Sequence, residues 1–208
     1  MGMNAKQLPK GTWSKSIRYF YSIKNRTRFW CESLLERDAM LRLEFDAEVE
    51  AYKAQPMSFT YRTMNGRTAR YTPDLLVKMK SDKVFVFREV KIGKRVDDAL
   101  LEKMQWIRLH IKNVYGSNLE IVTDSEIRAG SSIDNFNILY PYKRICIDHA
   151  DIQEIERNLP AEFSLLDLKD ISRRLGHRDS MPFSLLAHGA FKFDESILLD
   201  DQTIIQRP

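Results

Sequence analysis

The sequence predicts a mixed α/β domain, a mixed sheet flanked by helices, followed by a small C-terminal domain of winged helix-turn-helix type. Three observations predict it. Between Met57 and Ile92 strand-like runs alternate with strong turn signals, and an amphipathic helical pattern stands on either side of them. After Ala150 the rhythm changes to three short helical stretches and then two short β-like runs. With 208 residues, 43% of them apolar and 11% aromatic, the chain is long enough to bury such cores.

Residues 1–29 mix basic and aromatic side chains with little periodicity and read as an arm that folds onto something else. From Trp30 to Phe45, Leu34, Leu35, Met40, Leu41, Leu43 and Phe45 recur at three- and four-residue steps, which predicts a helix. Met57–Thr63 and Arg67–Tyr71 flank Asn65-Gly66, the signature of a tight hairpin. Leu75–Val77 continues as a strand. Val84–Ile92 follows the turn at Ser81-Asp82, with Val84, Val86, Val90 and Ile92 at period two. A long helix is predicted over 96–114 and closed by Gly116, then a strand over Leu119–Thr123 and another over Ile138–Tyr142. Beyond it, helices are expected over Ala150–Leu159, Leu165–Leu175 and Met181–His188, the second started by Ser164 with Asp167. Strands at Phe191–Phe193 and Thr203–Ile205 complete the order of a winged helix-turn-helix; a plain helical cap on the first domain is the alternative. The expected domains are therefore 1–29, 30–145 and 146–208.

The net charge of +4 is unevenly placed. Residues 1–31 hold seven basic side chains and no acid, residues 32–149 are nearly neutral, and residues 150–208 carry a net −4. That excludes a uniformly basic, histone-like coat. Cys31 and Cys146 form neither a zinc spacing nor a disulfide framework, which fits a reduced cytoplasm. With no apolar run of membrane-spanning length and no signal-peptide pattern, a membrane partner is not expected.

The chemistry-bearing residues are Asp74, Glu89 and Lys91. Asp74 opens a strand after Pro73, and Glu89 and Lys91 share one face of the run that returns beside it, with Val90 turned into the core. If the two strands pair, Asp74 comes to the same end as Glu89. Two carboxylates with an ammonium beside them suit phosphodiester hydrolysis with Mg²⁺, which prefers oxygen ligands. The same residues also read as an ordinary solvated ion pair on a hairpin. Glu32 and Glu36, at helical i, i+4 spacing, offer a third carboxylate. Lys94 and Arg95 after the strand, and Arg62, Arg67 and Arg70 on the hairpin, are placed either to meet a phosphate backbone or to stay in water. Arg173, Arg174 and Arg178 read either as a basic helix-turn-helix edge or as solvated charge. His110, His149, His177 and His188 show no ligand spacing and read as structural or surface residues.

Several separate pieces in one order then resemble a family: Glu32-Ser33-Leu34-Leu35-Glu36-Arg37-Asp38, Leu43-Glu44-Phe45-Asp46, Val49, Gln55-Pro56, Tyr71-Thr72-Pro73-Asp74, Glu89-Val90-Lys91 and Thr123–Arg128. They resemble TnsA, the restriction-endonuclease-like subunit of heteromeric cut-and-paste transposases. The resemblance implies a PD-(D/E)xK nuclease core with Asp74 and Glu89 as metal-binding acids, the Val90 carbonyl as a further ligand and Lys91 as the catalytic lysine. Glu36 is implied as the helix glutamate, with Glu32 as the fallback. Some members carry Gln at the position of Glu89. The implied activity is Mg²⁺-dependent cleavage of the 5′ strands at transposon ends, with Mn²⁺ able to substitute. The implied partners are double-stranded DNA, a DDE-type transposase and, through the C-terminal domain, an AAA+ ATPase regulator, all in the cytoplasm at the nucleoid. On this reading Lys15, Arg18, Lys24, Arg26, Arg28, Arg67, Arg70, Lys94 and Arg95 face DNA. The alternatives are a non-catalytic adaptor between transposase and ATPase, and a stand-alone restriction or resolvase-type nuclease.

Overall fold

Part of the segment expected as an arm is a β-hairpin. In the computed structural model, which describes residues 18–63, 65–81 and 84–207, β1 (Arg18–Ser22) pairs antiparallel with β2 (Thr27–Cys31). Ser22 closes the turn by accepting from the Asn25 backbone and side-chain amides at 3.1 and 2.7 Å. Trp30 and Cys31 therefore belong to a strand, and the helix expected from Trp30 begins later, as α1 (Leu34–Phe45). Ser33 sets that start, because its hydroxyl accepts from the Glu36 N–H at 3.1 Å.

Glu44, fully buried on α1, ties the hairpin to the helix. Its Oε1 accepts from the Ser22 and Tyr52 hydroxyls, each at 2.6 Å, and its Oε2 from the Ile23 and Lys24 backbone amides, each at 3.1 Å. Beside it the Lys24 ammonium donates to the carbonyls of Asp46 and Val49, where the carbonyl end of the helix favours a cation.

The strand β3 (Val49–Ala54), which the sequence pattern did not announce, follows with a bulge between Val49 and Ala51. Next come β4 (Phe59–Arg62) and β5 (Thr68–Tyr71), the hairpin predicted at Asn65-Gly66, with Phe59 opposite Tyr71 and Arg62 opposite Thr68. Then β6 (Leu75–Met79), β7 (Phe85–Lys91), α2 (Asp98–Tyr115), β8 (Asn118–Thr123) and the single turn α3 (Asp124–Ile127) complete the first unit. The main sheet runs β3-β6-β7-β8, antiparallel except for the parallel β7–β8 pair, whose crossover is α2. Asp97 caps α2 by accepting from the Leu100 N–H at 2.8 Å, and Gly116 ends it at φ +62. Met104, Ile107 and Ile111 of α2 pack with Phe87, Leu119, Phe59, Tyr61 and Tyr71 into one core. The alternate residues Leu75, Val77 and Val90 are buried on the opposite face, and α1 packs along β7 and β3.

The second unit packs separately, from Arg128 onward, whereas the expected boundary lay at 145/146. Ile138–Tyr142, expected as a strand, is helical: α4 (Ser132–Leu139) runs into a 3-10 turn over Tyr140–Arg144. Ile133, Phe136 and Leu139 fall on one buried helical face. Asn135, fully buried, donates from Nδ2 to the Glu195 and Ile197 carbonyls at 3.0 and 2.7 Å and accepts from the Leu199 N–H at 2.7 Å. Those bonds and the packing of α4 against the helix over 181–187 put residues 128–145 with the C-terminal unit.

That unit continues with α5 (His149–Arg157), β9 (Glu162–Ser164), α6 (Leu165–Arg174), α7 (Met181–Ala187), β10 (Lys192–Phe193) and β11 (Ile204–Gln206). The three expected helices and two expected strands are all present within a residue or two. β9 adds a third strand to give the order β10-β11-β9. Ser164 and Asp167 form a reciprocal capping box at the start of α6.

Candidate active site in the first unit

The register of β6 and β7 builds the site. Leu75 lies opposite Arg88, so Asp74, one residue before β6, reaches the level of Glu89. The Val90 N–H donates to Asp74 Oδ2 at 2.8 Å, which fixes one carboxylate oxygen and leaves the other. Glu89, 6% exposed, accepts from the Lys91 ammonium on Oε1 at 2.6 Å and from the Tyr71 hydroxyl on Oε2 at 2.5 Å. Glu89 and Lys91 thus share a face, as alternation along a strand requires. From the other side, the Asp74 carbonyl accepts from the Gln55 N–H at 2.8 Å.

Electrostatically the site carries excess negative charge. Burial, with the neighbouring Glu89 charge adding to it, pushes the Asp74 carboxyl up to about 8; Lys91 and the Val90 amide pull it back only in part, and Glu36 adds a further push. Burial draws the Lys91 ammonium down, yet its bond to Glu89 and the charges of Glu89, Asp74 and Glu36 outweigh that and leave its pKa raised. Burial, then the Glu89 charge, raises the Tyr71 hydroxyl, which stays a donor.

Glu36 is the helix carboxylate whose charge acts on both Asp74 and Lys91. Its oxygens accept from the Glu32 N–H and the Ser33 hydroxyl, both at 2.9 Å, so it also braces the first turn of α1. Glu32 precedes the helix, because α1 starts at Leu34, and the shared helical face expected for the two glutamates is not formed.

Of the residues expected at DNA, Arg18, Arg26, Arg28, Arg67, Arg70, Lys94 and Arg95 are exposed, and Lys15 lies outside the described residues. Lys24 is half-buried, and two of its three ammonium N–H groups are taken by the Asp46 and Val49 carbonyls at the end of α1, so it braces the fold.

Two residues at the site had no assigned role in the sequence. Tyr71 shows only the signal of an inward-facing aromatic three residues before Asp74. Gln55 is buried at φ +43, with its side-chain carbonyl lacking a hydrogen-bond partner. A non-glycine residue held in that region costs of order 1–3 kcal/mol and marks a place the surrounding structure holds against strain.

The side-chain donors here are hard oxygens: the Asp74 oxygen left by Val90, the Glu89 carboxylate and Glu36. Such a set fits Mg²⁺ or Mn²⁺. The raised Asp74 supports the fit, since two neighbouring carboxylates that repel one another are relieved by a divalent cation. A mixed sheet flanked by helices, with an acidic pair and a lysine at the ends of neighbouring strands, is consistent with a nuclease-like fold. Residues 46–124 match the family model of the TnsA-like endonuclease N-terminal domain, which supports a TnsA-like endonuclease. The matched stretch contains Asp74, Glu89 and Lys91, while Glu36 precedes it. No curated protein matches the chain. A TnsA-like domain suggests a nuclease role in transposition and implies contact with DNA and a transposase partner. Among the described residues, no helix is long and apolar enough to cross a membrane.

Proposed function

We propose that the protein is a Mg²⁺-dependent DNA endonuclease that cuts the 5′, non-transferred strands at transposon ends as a subunit of a cut-and-paste transposase. The observation that carries the reading is the pairing of half-buried Asp74 with buried Glu89 beside Lys91, with Asp74 pushed up to about 8 by burial and Glu89. In this reading Asp74, Glu89, the Val90 carbonyl and Glu36 hold the cation, which when bound supplies Lewis-acid stabilisation of charge growing on the phosphate. The residues themselves do the rest. Val90 N–H and Gln55 N–H keep Asp74 oriented, and Tyr71 keeps Glu89 oriented. The Lys91 ammonium, exchanging Glu89 for the substrate, holds a water or a phosphoryl oxygen in line. Arg18, Arg26, Arg28, Arg67, Arg70, Lys94 and Arg95 are assigned to the DNA backbone.

The second unit is assigned to protein contact with an AAA+ regulator, as a winged helix-turn-helix-like domain with β9, β10 and β11 as its small sheet. Supporting this, α7, which stands where such a domain places its DNA-reading helix, has no charged residue and buries Pro182, Ser184, Leu185, Leu186 and Ala187.

The test is strand-resolved cleavage of a transposon-end duplex by the protein with its transposase and ATPase partners and Mg²⁺. Asp74→Ala and Lys91→Ala are each expected to lose at least about 10²-fold in rate with an unchanged circular dichroism spectrum. Near-wild-type rates would overturn the site assignment. Silence of the complete complex would favour the adaptor, and efficient site-specific cutting by the chain alone would favour a stand-alone nuclease.

A further inference from the structure

A second set of ligating side chains converges in the C-terminal unit. Asp151 and Glu154 stand three residues apart on α5 and so share one helical face. His177 comes to them from the α6–α7 turn, directly after Gly176, whose φ of +82 reverses the chain. One ligand atom from each of the three lies within 4.8 Å of the other two.

What distinguishes this cluster from a surface ion pair is the state of its members. His177 is 13% exposed, and its Nε2 is shielded from solvent with no hydrogen-bond partner. That nitrogen stands 3.5 Å from Glu154 Oε2, an approach without a formed hydrogen bond. Asp151 is half-buried, and among the described residues its carboxylate has no hydrogen bond or ion pair. A buried imidazole nitrogen without a partner is costly unless something occupies its lone pair.

We infer that Asp151, Glu154 and His177 form a site for a divalent transition cation of the Zn²⁺ class, separate from the nuclease-like site. One imidazole nitrogen with two carboxylate oxygens is a borderline donor set that suits Zn²⁺, where Mg²⁺ takes oxygen alone. Tetrahedral bonds of about 2.0–2.2 Å set ligand atoms about 3.3–3.6 Å apart, so from separations of up to 4.8 Å the cluster closes by up to about 1.3 Å. Glu154, with half of its side chain exposed, can supply that movement. Bound there, the cation ties α5 to the turn between α6 and α7 and leaves a further coordination position for water or an outside donor.

The experiment is a Zn²⁺ titration of the full chain carrying Asp74→Asn and Glu89→Gln, which disable the other acidic site. One equivalent is expected by calorimetry, with Co²⁺ giving visible absorption bands of imidazole ligation and the second unit melting several degrees higher at saturation. His177→Ala, Asp151→Asn or Glu154→Gln should each weaken binding at least about tenfold, and His149→Ala should leave it unchanged. Glu154→Gln, at an exposed side chain, carries the comparison if His177→Ala fails to fold. The same Zn²⁺ equivalent surviving all three changes overturns the site, as does its loss through Asp74→Asn and Glu89→Gln. The readout needs no DNA cleavage, so it stands or falls apart from the nuclease reading.

Discussion

The first unit buries two glutamates that look alike and do different things. Glu44 is fully buried and Glu89 is 6% exposed, and each accepts a tyrosine hydroxyl, from Tyr52 at 2.6 Å and from Tyr71 at 2.5 Å. The surroundings separate them. Glu44 has four neutral donors, two hydroxyls and two backbone amides, closed around its two oxygens. Glu89 has one neutral donor and the Lys91 ammonium, and its charge presses on Asp74. Burial of a carboxylate is therefore not what marks a reactive site. A second carboxylate beside it, left short of compensation, does, because that shortfall is what a cation can relieve.

The largest effect separating the two regions is on folding. Glu44→Gln turns an amide NH₂ toward two of the four donors whichever way it is flipped, leaving them buried without an acceptor. The expected loss is about 2–5 kcal/mol, from two hydrogen-bonding groups left unpaired at about 1–3 kcal/mol each. Urea unfolding followed by tryptophan fluorescence reads it directly, since Trp30 and Trp106 lie in the first unit and residues 128–208 contain no tryptophan. Cleavage per folded molecule should persist. Stability kept within about 0.5 kcal/mol of wild type would remove the anchor role of Glu44.

Next is the pH dependence of Asp74. Its carboxyl ionises at an ordinary 3.8 when unfolded and near 8 when folded, so between those values the native state holds more proton than the unfolded state. Metal-free stability should therefore fall as pH rises from about 4 to 8 and level off above that, and Asp74→Asn should flatten that part of the slope. Since the cation competes with the same proton, apparent Mg²⁺ affinity should rise over the same window. Equal stability slopes in wild type and Asp74→Asn would mean that the two carboxylates are already balanced.

How much of this the chain discloses by itself depends on how local the cause is. Asn65-Gly66 predicts its hairpin and Gly116 its helix end, because turn and cap geometry involve only neighbouring residues. Asp74, Glu89 and Lys91 were legible because two strands joined by a short turn leave little choice of register. The β1–β2 hairpin was hidden because its inward face sets Ser22 beside Phe20 and Cys31 while Tyr19 and Tyr21 face outward, so apolar and polar residues do not alternate along it. Ile138–Tyr142 has β-forming residues but is held helical by partners some sixty positions away, through Asn135. Lys24 read as one more basic residue of the arm until the end of α1 was seen to hold it. The aromatic hydroxyl on Glu89 was hidden for the same reason, since β5 has to pack against β7 and α2 before Tyr71 meets it.

The smallest effect tests the comparison most closely, because the same atom can be removed in both places. Tyr52→Phe and Tyr71→Phe each delete one hydroxyl donor to a buried carboxylate and leave the ring packed, so each should cost about 1–2 kcal/mol in a denaturant melt. Only Tyr71→Phe should touch the chemistry. With Oε2 released, Glu89 keeps Lys91 as its remaining holder, and a carboxylate held on one side spends less time in the orientation a cation needs. The expected result is a cleavage rate about tenfold lower at fixed Mg²⁺, largely restored by raising Mg²⁺, with Tyr52→Phe at wild-type rates throughout. If Tyr71→Phe loses stability but keeps its Mg²⁺ dependence, Tyr71 belongs with Tyr52 as a structural donor. The two glutamates would then differ only in the charge of Lys91 and Asp74.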